Sequence, residues 1–527
     1  MISRRTFLKT VAATAPFLFM PRISLASRGK VLRYVPPTNL TILDPIFTPA
    51  EVSITHGYLV FDTLYGVDAK QEPKPQMAAG HTVSKNGLEW RITLRDGLKF
   101  HDGEPVRAQD CAASLARWAK RDTFGQALGA AVDSWSTADD KTIVIKLNRP
   151  FGQLLHAIGK PHSQPAMMMP ERLVNIDAKA QVTEMVGSGP FRVKADEYVS
   201  GNRVVYEKFD GYIPRTEKAE WTSGGKVAHF DRIEWHIIPD AATAVGAIQA
   251  GEVDWLSRVL PDLRPVLEAH PDVKRHRTDP FGVQHVLRFN HLTPPFNNVE
   301  LRRVVMKAIN QTPYLQSVTS KDSDRKECLA LFPCGMPGVE ELGKGVLGTL
   351  DIKAAKKAVI DAGYKGEKVV ILNPTDMVTV HPHGVLTADL LKKIGFTVDL
   401  VETDWGTVVQ RRVSKEPVEK GGWSIACTNW PCIAINNPAT NTTTRGLGDS
   451  GWWGWFKDEK MESLVADWLS AGSVEEANKL FNAAHQRAID TVPTIPLGIS
   501  FTSGAMRANL KGALEGSVDM FWNIHRV

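Results

Sequence analysis

Long apolar runs are nearly absent from this chain of 527 residues. The one weakly apolar stretch, Thr10 to Met20, is too short and too alanine-rich to cross a membrane. No later segment reaches membrane-spanning length. No clustered lysine and arginine stripe is present, which argues against nucleic acid as a partner. No internal repeat or low-complexity linker interrupts the chain. Tyrosine is scarce, at 8 residues, while tryptophan reaches 14, so the large polarisable surface is mostly indole. Cysteine is limited to five residues, and their spacings are not those of zinc sites. Cys328 and Cys334 are close enough in sequence to close a small loop; so are Cys427 and Cys432, with Cys111 left over.

What is present begins at the N-terminus. "SRRTFLK", Ser3 to Lys9, is a twin-arginine motif, and Ser24 and Ala26 are spaced for cleavage before Ser27. Residues 1–26 are therefore expected to be a secretory leader of the twin-arginine type, followed by an oxidising compartment. The leader carries Arg4, Arg5, Lys9 and Arg22 and no acid, so its removal lowers the formal charge from +5 to +1.

The length exceeds what one hydrophobic core supports, so at least two lobes are expected. Leu88, Trp90, Ile92 and Leu94 alternate with polar residues and predict a half-buried strand. The turn dipeptides Asn86-Gly87, Asp96-Gly97 and Asp102-Gly103 surround it. A helix is expected over roughly Ala108 to Lys120, and a second strand over Thr142 to Asn148. From Leu350 the pattern reads helix, strand, helix, strand, with Asp351 as a cap and Gly363 and Gly395 as stops. Such alternation predicts βαβ units on a partly parallel sheet.

Several segments carry a resemblance: "LDPIFTPA", "VFDTLYG", "MAAGHTVSKNGLEWRITLRDGLKFHDGEPVRAQD", "GSGPFRV", "VLRFNHLTPPFNNVELRRVVMKAIN", "LLKKIGFTVDLVETDW" and "VPTIPLGIS". In this order they resemble family 5 of the ABC-transporter solute-binding proteins, the periplasmic dipeptide-, oligopeptide- and nickel-binding type. The resemblance implies an α/β fold, the two-lobed periplasmic binding protein fold of cluster C type, with lobes joined by hinge segments. It implies lobe I over 27–282 with an extra subdomain at about 50–190, lobe II over 283–494, and a return to lobe I over 495–527. It also implies a monomeric periplasmic receptor, not an enzyme, that passes an organic solute to an ABC permease and ATPase complex at the inner membrane. Peptide-like, sugar-like and opine-like solutes remain open, as do a secreted enzyme and a folding helper or sensor on the same fold.

In peptide-binding members a segment like "NWPCIAINNPAT", Asn429 to Thr440, carries an aspartate that pairs with the peptide's amino group. Here that position falls on Ala434 or Ile435, both apolar. Asp404 and Asp449 are the candidate substitutes. The expected ligand-binding residues are Trp430, Asn436, Asn437, Trp405, Trp452, Trp453, Phe47 and Thr48. Indole faces suit sugar rings, cations and aromatic groups, and amides both donate and accept. "GWWGWF", Gly451 to Phe456, divides between cleft wall and core, with Trp455 and Phe456 on the core side. A disulfide is expected at Cys328–Cys334. No cofactor and no metal are expected: His381 and His383 alternate in a Pro/Gly loop of surface character. "GDSG", Gly448 to Gly451, lacks the order and context of a serine-protease nucleophile loop.

Overall fold

The computed structural model describes residues 30–527, so the twin-arginine motif and the cleavage site lie outside the described residues. Two mixed sheets organise the chain. The first has seven strands in the spatial order Phe191–Val193, Arg203–Lys208, Arg232–His236, Val31–Val35, Trp255–Leu256, Gly504–Arg507, Val273–His276. Val31–Val35 runs parallel to both neighbours, whereas Gly504–Arg507 inserts antiparallel between strands formed some 230 to 250 residues earlier. The C-terminal segment thus completes the sheet that the N-terminal half begins. Tyr34 fastens it: its ring packs against Trp235, Trp255 and Phe521, and its hydroxyl donates to Asp519 at 2.6 Å.

The second sheet has six strands, in the order Arg325–Lys326, Thr494–Ser500, Val283–Phe289, Ile425–Pro431, Lys368–Pro374, Thr397–Thr403. The expected βαβ unit is here. Lys368–Pro374 and Thr397–Thr403 pair in parallel, and helix His381–Lys393 between them packs on both. The chain passes between the sheets through 277–282 and again through 501–503. Thr494–Ser500 stays hydrogen-bonded within the second sheet to its end, five residues beyond the expected return at 495.

Local reasons for these elements match the sequence. Trp90, Ile92 and Leu94 are buried along strand Glu89–Leu94, one face of a four-stranded antiparallel sheet with Ala78–Val83, Thr142–Leu147 and Val132–Thr137. Asp351 accepts from the Ala354 amide at 2.7 Å and caps helix Ile352–Asp361, and Gly363 follows it at φ +85°. The His381/His383 expectation is corrected. Both histidines lie in the first turn of helix His381–Lys393, with Pro382 at a position where its missing N–H costs nothing. His383 is fully buried, its ring 4.7 Å from that of His285, and its Nε2 is 3.2 Å from the Tyr314 carbonyl. Among the described residues no group of three or more His, Cys, Asp or Glu side chains could hold a metal ion.

Candidate functional site

The site begins where strand Ile425–Pro431 leaves its sheet. Residues 425–428 are buried between Val283–Phe289 and Lys368–Pro374, while Asn429, Trp430 and Pro431 emerge half-buried at its carboxyl end. A single 3₁₀ turn, Cys432–Ala434, then redirects the chain. Ligands collect at such strand ends in open α/β sheets. Trp430, Ala434, Asn436, Asn437 and Thr440 form one wall of a cavity of about 200 Å³. Gln71, Asp122, His156, Lys160, His162 and Gln164, from the N-terminal half, form the facing wall.

Polar atoms on both walls lack partners: Trp430 Nε1 and Thr440 Oγ1 on one, Gln71 Oε1 on the other. A buried polar group left unpaired costs about 1–3 kcal/mol, so a solute that pairs with these atoms gains by entering. Gln71 and Gln164 on this wall, and Ser163, which also lines the cavity, hold left-handed backbone, at φ +62°, +57° and +50°. Non-glycine residues persist there only when the surroundings impose it, and such positions gather at binding sites. Trp118 Nε1 donates to the Gln164 carbonyl at 2.8 Å, and Gln164 Nε2 donates to the Ile46 carbonyl at 2.6 Å, which holds this loop in place.

The charges of the cavity cancel. Lys160 forms a buried ion pair with Asp122 and also donates to the Ser163 carbonyl. Burial pushes the Asp122 carboxyl up and the Lys160 ammonium down, each opposed by the partner's charge. Asp122 also caps helix Thr123–Gly129 by accepting from the Gly125 amide at 2.8 Å. Burial pushes His162 down to about 3, so it is neutral near pH 7.

The expected site residues divide. Trp430, Asn436 and Asn437 line the cavity. Asn437 Oδ1 is already engaged, accepting from the Ala439 and Thr440 amides at 3.1 Å, so it shapes the turn. Trp452 stands behind Trp430, edge-on at 5.7 Å between ring centroids, with the Arg288 guanidinium 5.0 Å from its own. Trp453 belongs to a core with Trp423, Trp455, Val370 and Leu372. Trp405 is partly buried against this core, with Arg412 between its ring and that of Trp453. Phe47 lies under Arg121, and Thr48 Oγ1 accepts from the Ala50 amide; their neighbour Pro49 lines the cavity, and they do not.

The second glycine of "GWWGWF" has a structural cause. Gly454 lies at φ +93°, and a Cβ there would collide with the Phe289 carbonyl, so only glycine lets this loop pass so close to the end of strand Val283–Phe289. Of the two apolar candidates for the anchor position, Ala434 lines the cavity and Ile435 is fully buried. The candidate substitutes are committed elsewhere. Asp404 caps helix Trp405–Arg411, and Asp449 pairs with Lys415 at 2.6 Å. Cys328 and Cys334 are joined, with Cα atoms 5.5 Å apart. Cys427 and Cys432 are both free and buried; Cys427 faces Thr387, and Cys432 packs against the disulfide. His485 is buried and accepts from the Leu331 amide at 3.1 Å, and Ser450 donates to the Leu447 carbonyl.

Sequence reasoning missed Gln71, Asp122, His156, Lys160, His162 and Gln164. One signal was available: the polar run Lys160 to Gln164, broken by Pro161 and followed by Pro165, interrupts an otherwise apolar stretch.

Residues 72–453 match the family described as bacterial extracellular solute-binding proteins, family 5 middle. A Sinorhizobium fredii protein named "Probable peptide ABC transporter periplasmic-binding protein y4tO" is 33% identical over 533 residues, covering 100% of this chain and 99% of that protein. The glutathione-binding protein GsiB of Salmonella typhi is 24% identical over 490 residues, covering 90% of each chain. Among solved structures, the ABC transporter substrate-binding protein CtaP of Listeria monocytogenes superposes with a TM-score of 0.79 at 19% identity, over 94% of this chain and 99% of that one. AgaA from A. tumefaciens R10, in complex with agropinic acid, gives 0.73 at 19% identity, over 94% and 99%.

Proposed function

The chain belongs to family 5 of the bacterial extracellular solute-binding proteins, and on that premise we propose that its cavity captures a polar organic solute between two lobes. The observation that carries this reading is that residues of both walls of one cavity hold buried polar atoms without partners, Gln71 Oε1 on one wall and Trp430 Nε1 and Thr440 Oγ1 on the other. A solute bonded to both walls stabilises the closed arrangement through contacts the open one lacks. The proposed lobes follow the two sheets, with hinges at 277–282 and 501–503. The receptor is a periplasmic monomer that delivers its solute to an ABC permease and ATPase, and it is not an enzyme.

Named relatives include a probable peptide carrier and a glutathione binder. The apolar Ala434, and the pairing of Asp122 with Lys160, which leaves that carboxylate engaged, favour a ligand other than a simple peptide held by its free amine. Mass spectrometry of solute co-purified with the protein, followed by calorimetry on wild type and Trp430→Ala, tests the reading. Equal affinity of both proteins for the identified solute would sink it. Export by the twin-arginine route is a separate proposal. It requires that changing Arg4 and Arg5 to lysine block secretion.

A further inference from the structure

One tryptophan away from the cleft wall holds a costly backbone. Trp221 sits at φ +49°, at the first position of a two-residue turn closed by the paired amides and carbonyls of Glu220 and Ser223. Glycine, asparagine and aspartate fit such a place, and a bulky residue persists there only when its surroundings impose it. The turn is fastened to strand Tyr65–Val67. The Thr222 amide donates to the Val67 carbonyl at 3.2 Å, and the Val67 amide donates to Thr222 Oγ1 at 2.9 Å. The indole is only 2% exposed. It packs in a small cluster with Val67, Met336 and Ile433, joined by Val339 and by Phe281, whose ring centroid is 5.4 Å away.

The members of this cluster come from both sides of the cleft. Val67 and Trp221 belong to the N-terminal half. Met336 and Ile433 belong to the half built on the six-stranded sheet, Ile433 in the turn after Trp430 and Met336 just beyond the disulfide at Cys334. Phe281 lies in the passage between the halves. Val67 and Ile433 line the inner chamber, the cavity of about 200 Å³, and Met336 lines a second cavity, of about 620 Å³, that opens beside it; Trp221 lines neither. Resting on the solute-receptor reading above, we propose that Trp221 is a positioning residue that latches the lobes. Its indole docks on Met336 and Ile433 when the lobes close, and this contact prolongs the stay of the solute without touching it. A large aromatic ring gains much by leaving water. The contact therefore enlarges the closed population and tightens apparent binding. The strained turn has its reason in the same contact: it holds an indole where the facing lobe completes its burial.

The first arm of the test needs no solute. Trp221→Cys, stripped of solute by unfolding in urea and refolding, should react with a maleimide as an exposed thiol does, because open lobes uncover this position. A thiol at 221 as protected as Cys111, Cys427 and Cys432, which are buried, makes Trp221 ordinary core and overturns the proposal. In the second arm the probe is the solute carried through purification, released by denaturing the wild-type protein and quantified by mass spectrometry. Its loss from reloaded protein is timed by dialysis. Trp221→Ala should lose it roughly tenfold faster than wild type, through the smaller closed population. Trp221→Phe, which keeps a ring, should fall between the two. The thermal midpoint of solute-free Trp221→Ala should not drop below that of wild type, since the open form leaves the indole in water and the strained turn is relieved. Unchanged loss of solute, equal rates for Trp221→Phe and Trp221→Ala, a lowered solute-free midpoint, or failure of Trp221→Ala to fold each overturns the latch. Trp430→Ala separates this proposal from the reading beneath it. If Trp430→Ala releases the solute faster and Trp221→Ala does not, the receptor stands and the latch falls; if neither does, both fall.

Discussion

Trp430 and Trp452 meet edge to face, 5.7 Å between centroids at 69°, and the division between wall and core runs through this pair. On one side Trp430 is half-buried, lines the cavity and has an unpaired Nε1. On the other, Trp453 and Trp455 are each only 7% exposed in a shared core. Trp430→Ala should therefore lose about 1–3 kcal/mol of ligand affinity, the range for flat rings stacked on aromatic side chains. Trp455→Ala should cost about 3–5 kcal/mol of stability, with affinity retained in the folded fraction. Calorimetry paired with urea unfolding separates the two; the reverse assignment of losses would place wall and core the wrong way round.

The empty anchor position gives a second test. Ala434→Asp adds a carboxylate to a wall that has no free cation, because Lys160 is held by Asp122. A neutral solute should bind at least tenfold more weakly, since the new charge is desolvated on closure. A solute bearing a free amine should gain instead. Unchanged affinity for both classes would show that position 434 does not face the bound solute.

Much of this architecture was legible from the residues, for a physical reason. Alternation at Trp90, Ile92 and Leu94 and the Asp351 cap are local signals, complete within a few positions. The facing wall was not legible, because its meaning is non-local. Lys160 acquires a role only beside Asp122, 38 residues earlier, and Ser163 and Gln164 only through a backbone conformation that their residue types do not announce. His381 and His383 misled because Pro382 reads equally well as a loop and as the first turn of a helix. Trp453 was assigned to the cleft on its neighbourhood in sequence, yet a side chain one position from Trp452 turns inward to Trp423.

Gly152 and Ala471 mark where the two sides of the cleft touch. A Cβ on Gly152 would collide with the Ala471 carbonyl, which is backbone and cannot rotate away. Phe124 and Trp468 lie beside each other nearby, 6.1 Å between centroids. Gly152→Val should hold the lobes apart without touching the inner chamber. Affinity should fall tenfold or more by shifting the equilibrium toward the open form. Small-angle scattering of the solute-saturated variant should give the radius of the solute-free protein, and the unfolding midpoint without solute should stay within a few degrees. Full compaction on saturation would show that this contact does not limit closure.

Two aspartates next to the passages between the sheets titrate in opposite senses. Asp324 is fully buried and accepts from Arg264 at 2.6 Å, from Arg277 at 2.9 Å and from Arg275. Burial pushes its carboxyl up, but the three guanidinium groups outweigh that and hold it below the ordinary 3.8. Its contribution is present above pH 3.8 and is lost as pH falls through its folded value. Asp324→Asn should cost about 3–5 kcal/mol near pH 7, because it strands three arginines.

Asp279, by contrast, is raised by burial from 3.8 to about 7, beside Glu51 and with Arg258 too weak an offset. The folded state then binds more protons than the unfolded state between those values, so unfolding free energy falls as pH rises from about 4 to about 7 and levels off above. Buried histidines such as His162 and His485 push the other way as pH drops below 6.5, since burial holds them neutral. The Asp279 effect is therefore read as a difference between proteins. Asp279→Asn should be more stable than wild type at pH 8, with the advantage shrinking steadily toward pH 4. An advantage that stays constant across this range in urea unfolding would show that Asp279 ionises freely in the folded protein.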